Sequence, residues 1–255
     1  MLFYFTATGN CLALVKYLDD NPLSIVQEMK KDVRNYEDDV IGLIVPDYYS
    51  EIPLIVRRFI EGSSFTCNYF YLLVTYGCNA RIVVEWGKHY LESQGIRVHY
   101  ANSILMVDNY VPGFDMAEEV TIDKKMEDQL IALKHDLEER KVWYKVPNAK
   151  AHASYDRSLL SGDYHQKVKD DSKAFAINTD VCIGCGICTK VCPIGNMKLQ
   201  DKKAVRVNEI CEVCLACLHH CPKKAITMVG RDVNPSARYR HPDIKLKDII
   251  DANHI

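Results

Sequence analysis

Short apolar runs alternate with amphipathic stretches through the first half of the chain. Residues 2–5 (Leu, Phe, Tyr, Phe) read as a strand. They pass through a hydroxyl-rich turn into a stretch where Leu12, Val15 and Leu18 recur on one helical face. Further strands are predicted at 23–26, at 40–45 (Val-Ile-Gly-Leu-Ile-Val) and at 70–74 (Phe-Tyr-Leu-Leu-Val). Pro53 opens a helix carrying Leu54, Val56, Phe59 and Ile60. A helix over 80–93 is stopped by Gly95, and a fifth strand region runs from 96 towards 106. A long helix with Met126, Leu130, Leu133 and Leu137 on one stripe ends near 141. Alternating strands and helices predict an α/β fold: a doubly wound parallel sheet of five strands in the order 2-1-3-4-5.

The pattern then breaks. From about 144 to 171 the sequence turns polar and loses its period, which reads as a connector with one short helical turn at 158–160. Short strands return at 175–178, 204–207 and 225–228 and frame a second, small α+β unit. The expected organisation is therefore 1–143, a linker over 144–174, a compact unit over 175–230, and a tail over 231–255. The tail reads as a strap that packs back on the body, with a basic docking patch at Arg238, Tyr239, Arg240 and His241 as the alternative.

At 255 residues there is room for both units, and the net charge of −2 gives no reason to expect nucleic acid or an acidic membrane as partner. No apolar run approaches the roughly 20 residues of a membrane-spanning helix. No secretory signal precedes the first strand, so the expected compartment is a reducing, oxygen-poor cytoplasm.

Cysteine spacing carries the strongest chemistry. Cys182, Cys185, Cys188 and Cys192 are spaced C-x2-C-x2-C-x3-C with Pro193 following. Cys211, Cys214, Cys217 and Cys221 repeat that spacing 29 residues later, with Pro222 following. Disulfides do not suit the compartment, and structural zinc sites lack the third cysteine and the C-P ending. The run resembles that of two-cluster bacterial ferredoxins, in which the fourth cysteine ligates the other cluster. The resemblance implies one [4Fe–4S] cluster on Cys182, Cys185, Cys188 and Cys221, and another on Cys211, Cys214, Cys217 and Cys192. Small and aliphatic residues between the cysteines dry the clusters and leave N–H groups free to bond the sulfurs. His219 and His220 are expected to be exposed on a helix.

The first turn, Thr6-Ala7-Thr8-Gly9-Asn10-Cys11, joins a strand to a helix start, where unpaired N–H groups and the helix dipole favour an anion. Thr6 and Thr8 add hydroxyls, Gly9 permits close approach, and Asn10 is placed to cap the helix. Neither a Walker A loop nor G-x-G-x-x-G is present there. The turn instead resembles the flavodoxin loop [S/T]-x-T-G-N-[T/S] that binds the FMN phosphate. Cys11 departs from its final hydroxyl and reads as a small packed residue. By the same resemblance Tyr48 or Tyr49, in a loop that begins at Asp47 and includes Ser50, stacks on the flavin ring. Thr75, Tyr76, Gly77, Cys78 and Asn79 line its pyrimidine side. Related loops carry glycines where Ser50 and Glu51 stand. A non-glycine residue resists positive φ by about 1–2 kcal/mol, so the half-reduced flavin is expected to be stabilised less here than in flavodoxins.

The whole chain resembles flavodoxin–ferredoxin fusion proteins of anaerobes. That resemblance implies an iron–sulfur flavoprotein that relays electrons between FMN, two [4Fe–4S] clusters and a redox protein partner. The alternative is an oxidoreductase acting on a bound nicotinamide or quinone-like substrate. Tyr76, Cys78, Asn109 and Tyr110 would frame such a pocket.

Overall fold

The computed structural model describes residues 1–19, 21–153, 163–209 and 211–255. Its frame is a sheet whose central strands are apolar on both faces, as burial under helices on either side requires. Strand β1 (Leu2–Tyr4) pairs in parallel with β2 (Leu23–Ser24) on one side and β4 (Val40–Pro46) on the other. Beyond β4 lie β6 (Tyr69–Tyr76), β7 (Tyr100–Leu105) and β8 (Trp143–Tyr144), all parallel. A separate parallel pair, β3 (Asn35–Glu37) with β5 (Ser64–Thr66), stands beside this sheet.

The order β2-β1-β4-β6-β7 is the expected 2-1-3-4-5 of a flavodoxin-like doubly wound fold. β8 adds a sixth strand at the edge, where Trp143 pairs with Tyr100 and Tyr144 with Ala101. Helices α1 (Asn10–Leu18), α3 (Leu54–Glu61), α4 (Val83–Ser93) and α6 (Met126–Glu138) connect the strands. Two single-turn helices, α2 (Ile25–Glu28) and α5 (Met116–Glu119), fill corners. The core they enclose includes Phe3, Leu14, Ile44, Phe59, Leu72 and Tyr100, each essentially inaccessible to solvent.

The polar stretch expected as connector ends in a helix, α7 (Asp163–Ala174), while the turn expected at 158–160 lies outside the described residues. After α7, β9 (Phe175–Ile177) pairs antiparallel with β12 (Ile226–Met228). A hairpin of β10 (Met197–Gln200) and β11 (Lys203–Arg206) lies between them in sequence. Two short helices complete this small unit: α8 (Ile187–Val191) and α9 (Ala216–His219), each of which lies within one of the cysteine runs.

Residues 231–255 return to the sheet unit. Helix α10 (Leu246–Asn253) is tied there by the Ser24 hydroxyl donating to Ala252 O (2.6 Å) and the Asn253 amide donating to Thr6 O (2.9 Å). Ahead of it, His241 N donates to Thr8 O at 2.9 Å. The basic docking patch is not formed. Arg238 is buried against Asp232 at 2.9 Å, and Tyr239 and His241 are buried as well.

Candidate functional site

A cavity of about 360 Å³ opens at the carboxyl ends of β1, β4, β6 and β7, where open α/β sheets bind ligands. Thr6, Thr8, Asn10 and Cys11 line it from the first turn; Asp47, Tyr48, Tyr49 and Ser50 from the second. Thr75, Tyr76, Gly77, Cys78 and Asn79 line it from the third. Gly9 alone of the expected residues does not. Its φ of +108° suits glycine, but its bare α-carbon faces the tail: a Cβ there would lie 3.0 Å from His241 Cβ and 3.1 Å from Ile244 Cβ.

The first turn keeps the features of an anion site. The Thr6 hydroxyl accepts from Gly9 N (3.2 Å) and the Thr8 hydroxyl from the Asn109 amide (2.7 Å), which leaves both O–H groups available as donors. Asn10 makes no cap bond. Its amide donates to Val107 O at 2.9 Å, and its oxygen accepts from the Tyr239 hydroxyl at 2.7 Å. Asn10, Cys11 and Leu12 therefore start α1 with N–H groups that no preceding turn can satisfy. Cys11 is buried, 3.1 Å from the Thr75 hydroxyl, and burial pushes its thiol up to about 12, so it packs as a neutral small group.

The second turn departs from expectation. Tyr49 and Ser50 both adopt positive φ, at 58° and 74°, although neither is glycine. Tyr48 and Glu51 exchange backbone bonds of 2.9 and 3.1 Å around them, forming a two-residue hairpin with the dihedral signs of a type I′ turn. Asp47 accepts from Ser50 N at 2.7 Å, and Arg57 pairs with Glu51. These contacts offset the cost of roughly 1–2 kcal/mol per left-handed residue. The lack of glycine therefore does not keep this turn out of positive φ, contrary to what the sequence led us to expect.

Beyond Tyr49 lies a fully buried carboxylate that sequence reasoning missed. Asp171, on α7, accepts hydrogen bonds from the hydroxyls of Tyr49 and Tyr110 and pairs with Arg231. The two tyrosine rings meet edge-on with centroids 5.8 Å apart, and Lys167 Nζ lies 5.8 and 5.6 Å from them.

The opposite wall holds two more acids. Burial, ahead of the neighbouring Asp108 and Glu51, pushes the Asp47 carboxyl up to about 7 against the Ser50 N–H and Arg81. Asp108 is raised too, chiefly by burial. It packs so closely on Gly77 that a Cβ there would come within 2.2 Å of its own. Asp108, Asn109 and Tyr110 follow the fifth strand in the order 2-1-3-4-5, β7, and that position at a carboxyl end was their one sequence signal.

The last wall comes from the small unit. Val213, Cys214 and Leu215 line the same cavity as Thr6, Tyr48 and Thr75. Cys214 is nearly inaccessible, and its thiol is raised well above its ordinary value by burial and then by Cys211 and Cys192. Cys217 is raised by burial and by that same trio, Cys211, Cys214 and Cys192, with Cys188 adding to it. Cys182, Cys185, Cys188 and Cys221 instead share a separate small cavity. Cys182, Cys185, Cys188 and Cys221 thus lie together, and Cys211, Cys214, Cys217 and Cys192 lie together. Backbone N–H groups reach four sulfurs: Ala204 to Cys182, Asn196 to Cys192, Val213 to Cys211 and Ala225 to Cys221, at 3.2–3.5 Å. Among the described residues no three His, Cys, Asp or Glu side chains converge on a single-ion site.

Two anchors hold this unit on the sheet. Glu212, inside the second run, accepts from Ile55 N (3.1 Å) at the start of α3 and pairs with Arg58. His219 is not exposed: it is buried, accepts from Tyr239 N at 3.1 Å, and donates from Nε2 to Asn109 O at 2.8 Å. Burial lowers it to about 3, so it is a neutral strut. His220 is also buried and donates to Ala216 O.

Residues 174–222 match the family described as 4Fe-4S dicluster domain. The dicluster segment is similar to an uncharacterized ferredoxin of Methanocaldococcus jannaschii, 39% identical over 62 residues. It also resembles one component of an ion-translocating oxidoreductase complex of Methanosarcina acetivorans, 38% identical over 64 residues, and a ferredoxin of Pyrobaculum islandicum, 33% over 63. These matches cover 23%, 25% and 24% of this chain, and 33%, 23% and 58% of those proteins. Among solved structures, rubredoxin oxygen:oxidoreductase of the anaerobe Desulfovibrio gigas is matched at a TM-score of 0.32 and 11% identity, over 53% of this chain and 36% of that one. Residues 174–222 are thus the ferredoxin-like, iron–sulfur part of this chain, and the chain spans a third or less of the length of the first two of these relatives. Among the described residues no helix is long and apolar enough to cross a membrane.

Proposed function

We propose that the chain is an iron–sulfur flavoprotein that relays electrons between FMN and a redox protein partner through two [4Fe–4S] clusters. One cluster is assigned to Cys182, Cys185, Cys188 and Cys221, the other to Cys211, Cys214, Cys217 and Cys192. The work divides among residues 1–143 for the flavin, 144–174 as connector, 175–230 for the clusters and 231–255 as strap. A single observation carries the reading: Cys214 belongs to the wall of the same cavity as the hydroxyl turn and the tyrosine turn.

FMN, when bound, accepts electrons in pairs and releases them singly. Thr6, Thr8 and the first N–H groups of α1 suit its phosphate, and Tyr48, Tyr76 and Tyr110 offer flat faces and exclude water. Leu215 and Val213 keep the passage to Cys214 dry. Cytoplasmic residence in an anaerobe is part of the same proposal. The test is anaerobic: iron, sulfide and flavin per chain, with a visible spectrum. About eight irons and about one FMN are expected. A colourless protein, or one holding zinc, overturns the reading; a brown protein without flavin overturns its first half.

Asp47 favours a second reading, an FMN-dependent oxidoreductase that uses the clusters as a wire. Its carboxyl lines the cavity and still holds a proton near neutrality, as a donor to a nicotinamide or quinone-like substrate must. Turnover of such a substrate that disappears in Asp47→Asn would establish it.

A further inference from the structure

The two cysteine groups differ in what surrounds them. Cys214 of the second group is closed in by the large cavity, whereas the first group opens to solvent: Cys185 is exposed, and Ile183 beside it is 59% exposed. Ile183 and Leu199, itself 45% exposed, line the small cavity of Cys182, Cys185, Cys188 and Cys221, as does Lys223. Val181 adds a third exposed apolar side chain next to Cys182. An apolar centre this close to a redox site has the anatomy of an interface core.

Its surroundings are predominantly basic. Residues 180–203 and 221–224 contain six lysines (190, 198, 202, 203, 223 and 224) against two acids, Asp180 and Asp201, in a chain of net charge −2. Lys202 stacks its carbonyl on Gly184, within the first cysteine run, where a Cβ would come 2.2 Å from the oxygen. Lys203 Nζ donates to Cys182 O at 2.7 Å. Among the described residues none of the six takes part in an ion pair with a carboxylate. Five of the six are exposed. Unpaired like charges held together around a redox group are costly to the fold and serve recognition and rate.

We infer that this face, centred on Ile183 and Leu199 and flanked by Lys202 and Lys223, docks an acidic redox protein that presents carboxylates around its own redox centre. The inference rests on the cluster assignment proposed above and adds the partner's charge and the place of contact. Electrons pass one at a time between the partner's centre and the cluster behind Cys185; one is reduced as the other is oxidised. Ile183 and Leu199 exclude water at the crossing, while the lysines steer the encounter.

The test uses the full chain, loaded with iron anaerobically and assayed for it. It is mixed by stopped flow with a reduced two-cluster ferredoxin of strongly negative net charge. The second-order rate is expected to fall steeply with added salt. At low salt the double variant K202E/K223E is expected to slow by roughly tenfold or more, and K202R/K223R to stay near the parent. Iron content and the extent of photoreduction by deazaflavin, which needs no docking, report that the variants are intact. With full iron, a rate indifferent to salt and to charge reversal overturns the docking face alone. Salt-insensitive kinetics with lysine-dependent sedimentation on phosphatidylserine vesicles overturn it in favour of a membrane surface. A chain that holds no iron overturns the cluster assignment, and this face with it.

Discussion

Asp47 is where the fold most changes the behaviour of a single group. Its carboxyl is raised from 3.8 to about 7, so the folded chain holds a proton that the unfolded chain has released between those values. Stability from this proton is fully present below the unfolded value and is lost as pH rises towards the folded one. Unfolding free energy should therefore fall by about 1–2 kcal/mol between about pH 5.5 and about pH 7.5, after allowance for partial solvent access. Asp47→Asn keeps the acceptor for Ser50 N and should flatten that decline, as urea titrations at both pH values would register. Tyr110 acts at the same scale. Tyr110→Phe removes one donor from buried Asp171 and should cost about 1–3 kcal/mol in thermal unfolding, with Tyr49 and Arg231 still in place. The cysteines were legible because their spacing is local. Asp171 was not: its tyrosine partners lie 122 and 61 residues away, and nothing in the Asp170-Asp171 pair says which one turns inward.

At the level of elements, the strands with continuous apolar runs appeared where expected, because burial on both faces leaves little alternative. Helix α7 was missed for the opposite reason. Val168 and Ala174 are the only aliphatic residues in it, so it shows no apolar stripe. It is held by polar contacts instead: Asp171 to two tyrosines, and the Ser172 hydroxyl to Glu209 O at 2.7 Å. β8, two residues long, is below the length at which alternation means anything. Docking between elements can be probed through Glu212, which supplies α3 with an acceptor that its own N-cap, Pro53, lacks. Glu212→Ala should destabilise the chain by about 1–3 kcal/mol and raise hydrogen exchange at the start of α3, around Ile55. Gly9→Ala should cost at least about 1–2 kcal/mol, since it is strained in φ and crowds His241 and Ile244.

Across the whole molecule the proposed crossed ligand assignment would make the two cluster sites interdependent. Cys192→Ala and Cys221→Ala should each release about four irons, but from the site built mainly by the other run. The two variants should then differ in flavin reduction by an external protein donor. Cys192→Ala breaks the link next to the large cavity, whereas Cys221→Ala breaks the link at the lysine face. Rapid mixing with spectra of flavin and clusters separates the two outcomes. The crossed assignment is what the resemblance to two-cluster ferredoxins implies, and the alternation of strands and helices supplied the sheet. That the second group, and not the first, faces the large cavity was not written in either pattern. It follows from Glu212, His219 and Tyr239, whose partners Ile55, Asn109 and Asn10 belong to the sheet unit.

The return of the chain onto its own beginning sets an order in time. Thr6 receives a bond from Asn253, Ser24 gives one to Ala252, and Thr8 receives another from His241. During synthesis the first turn emerges from the ribosome long before these companions exist. It must wait, with its carbonyls bonded to water, until residue 253 has been added. These three bonds can thus form only after both cysteine runs have been made.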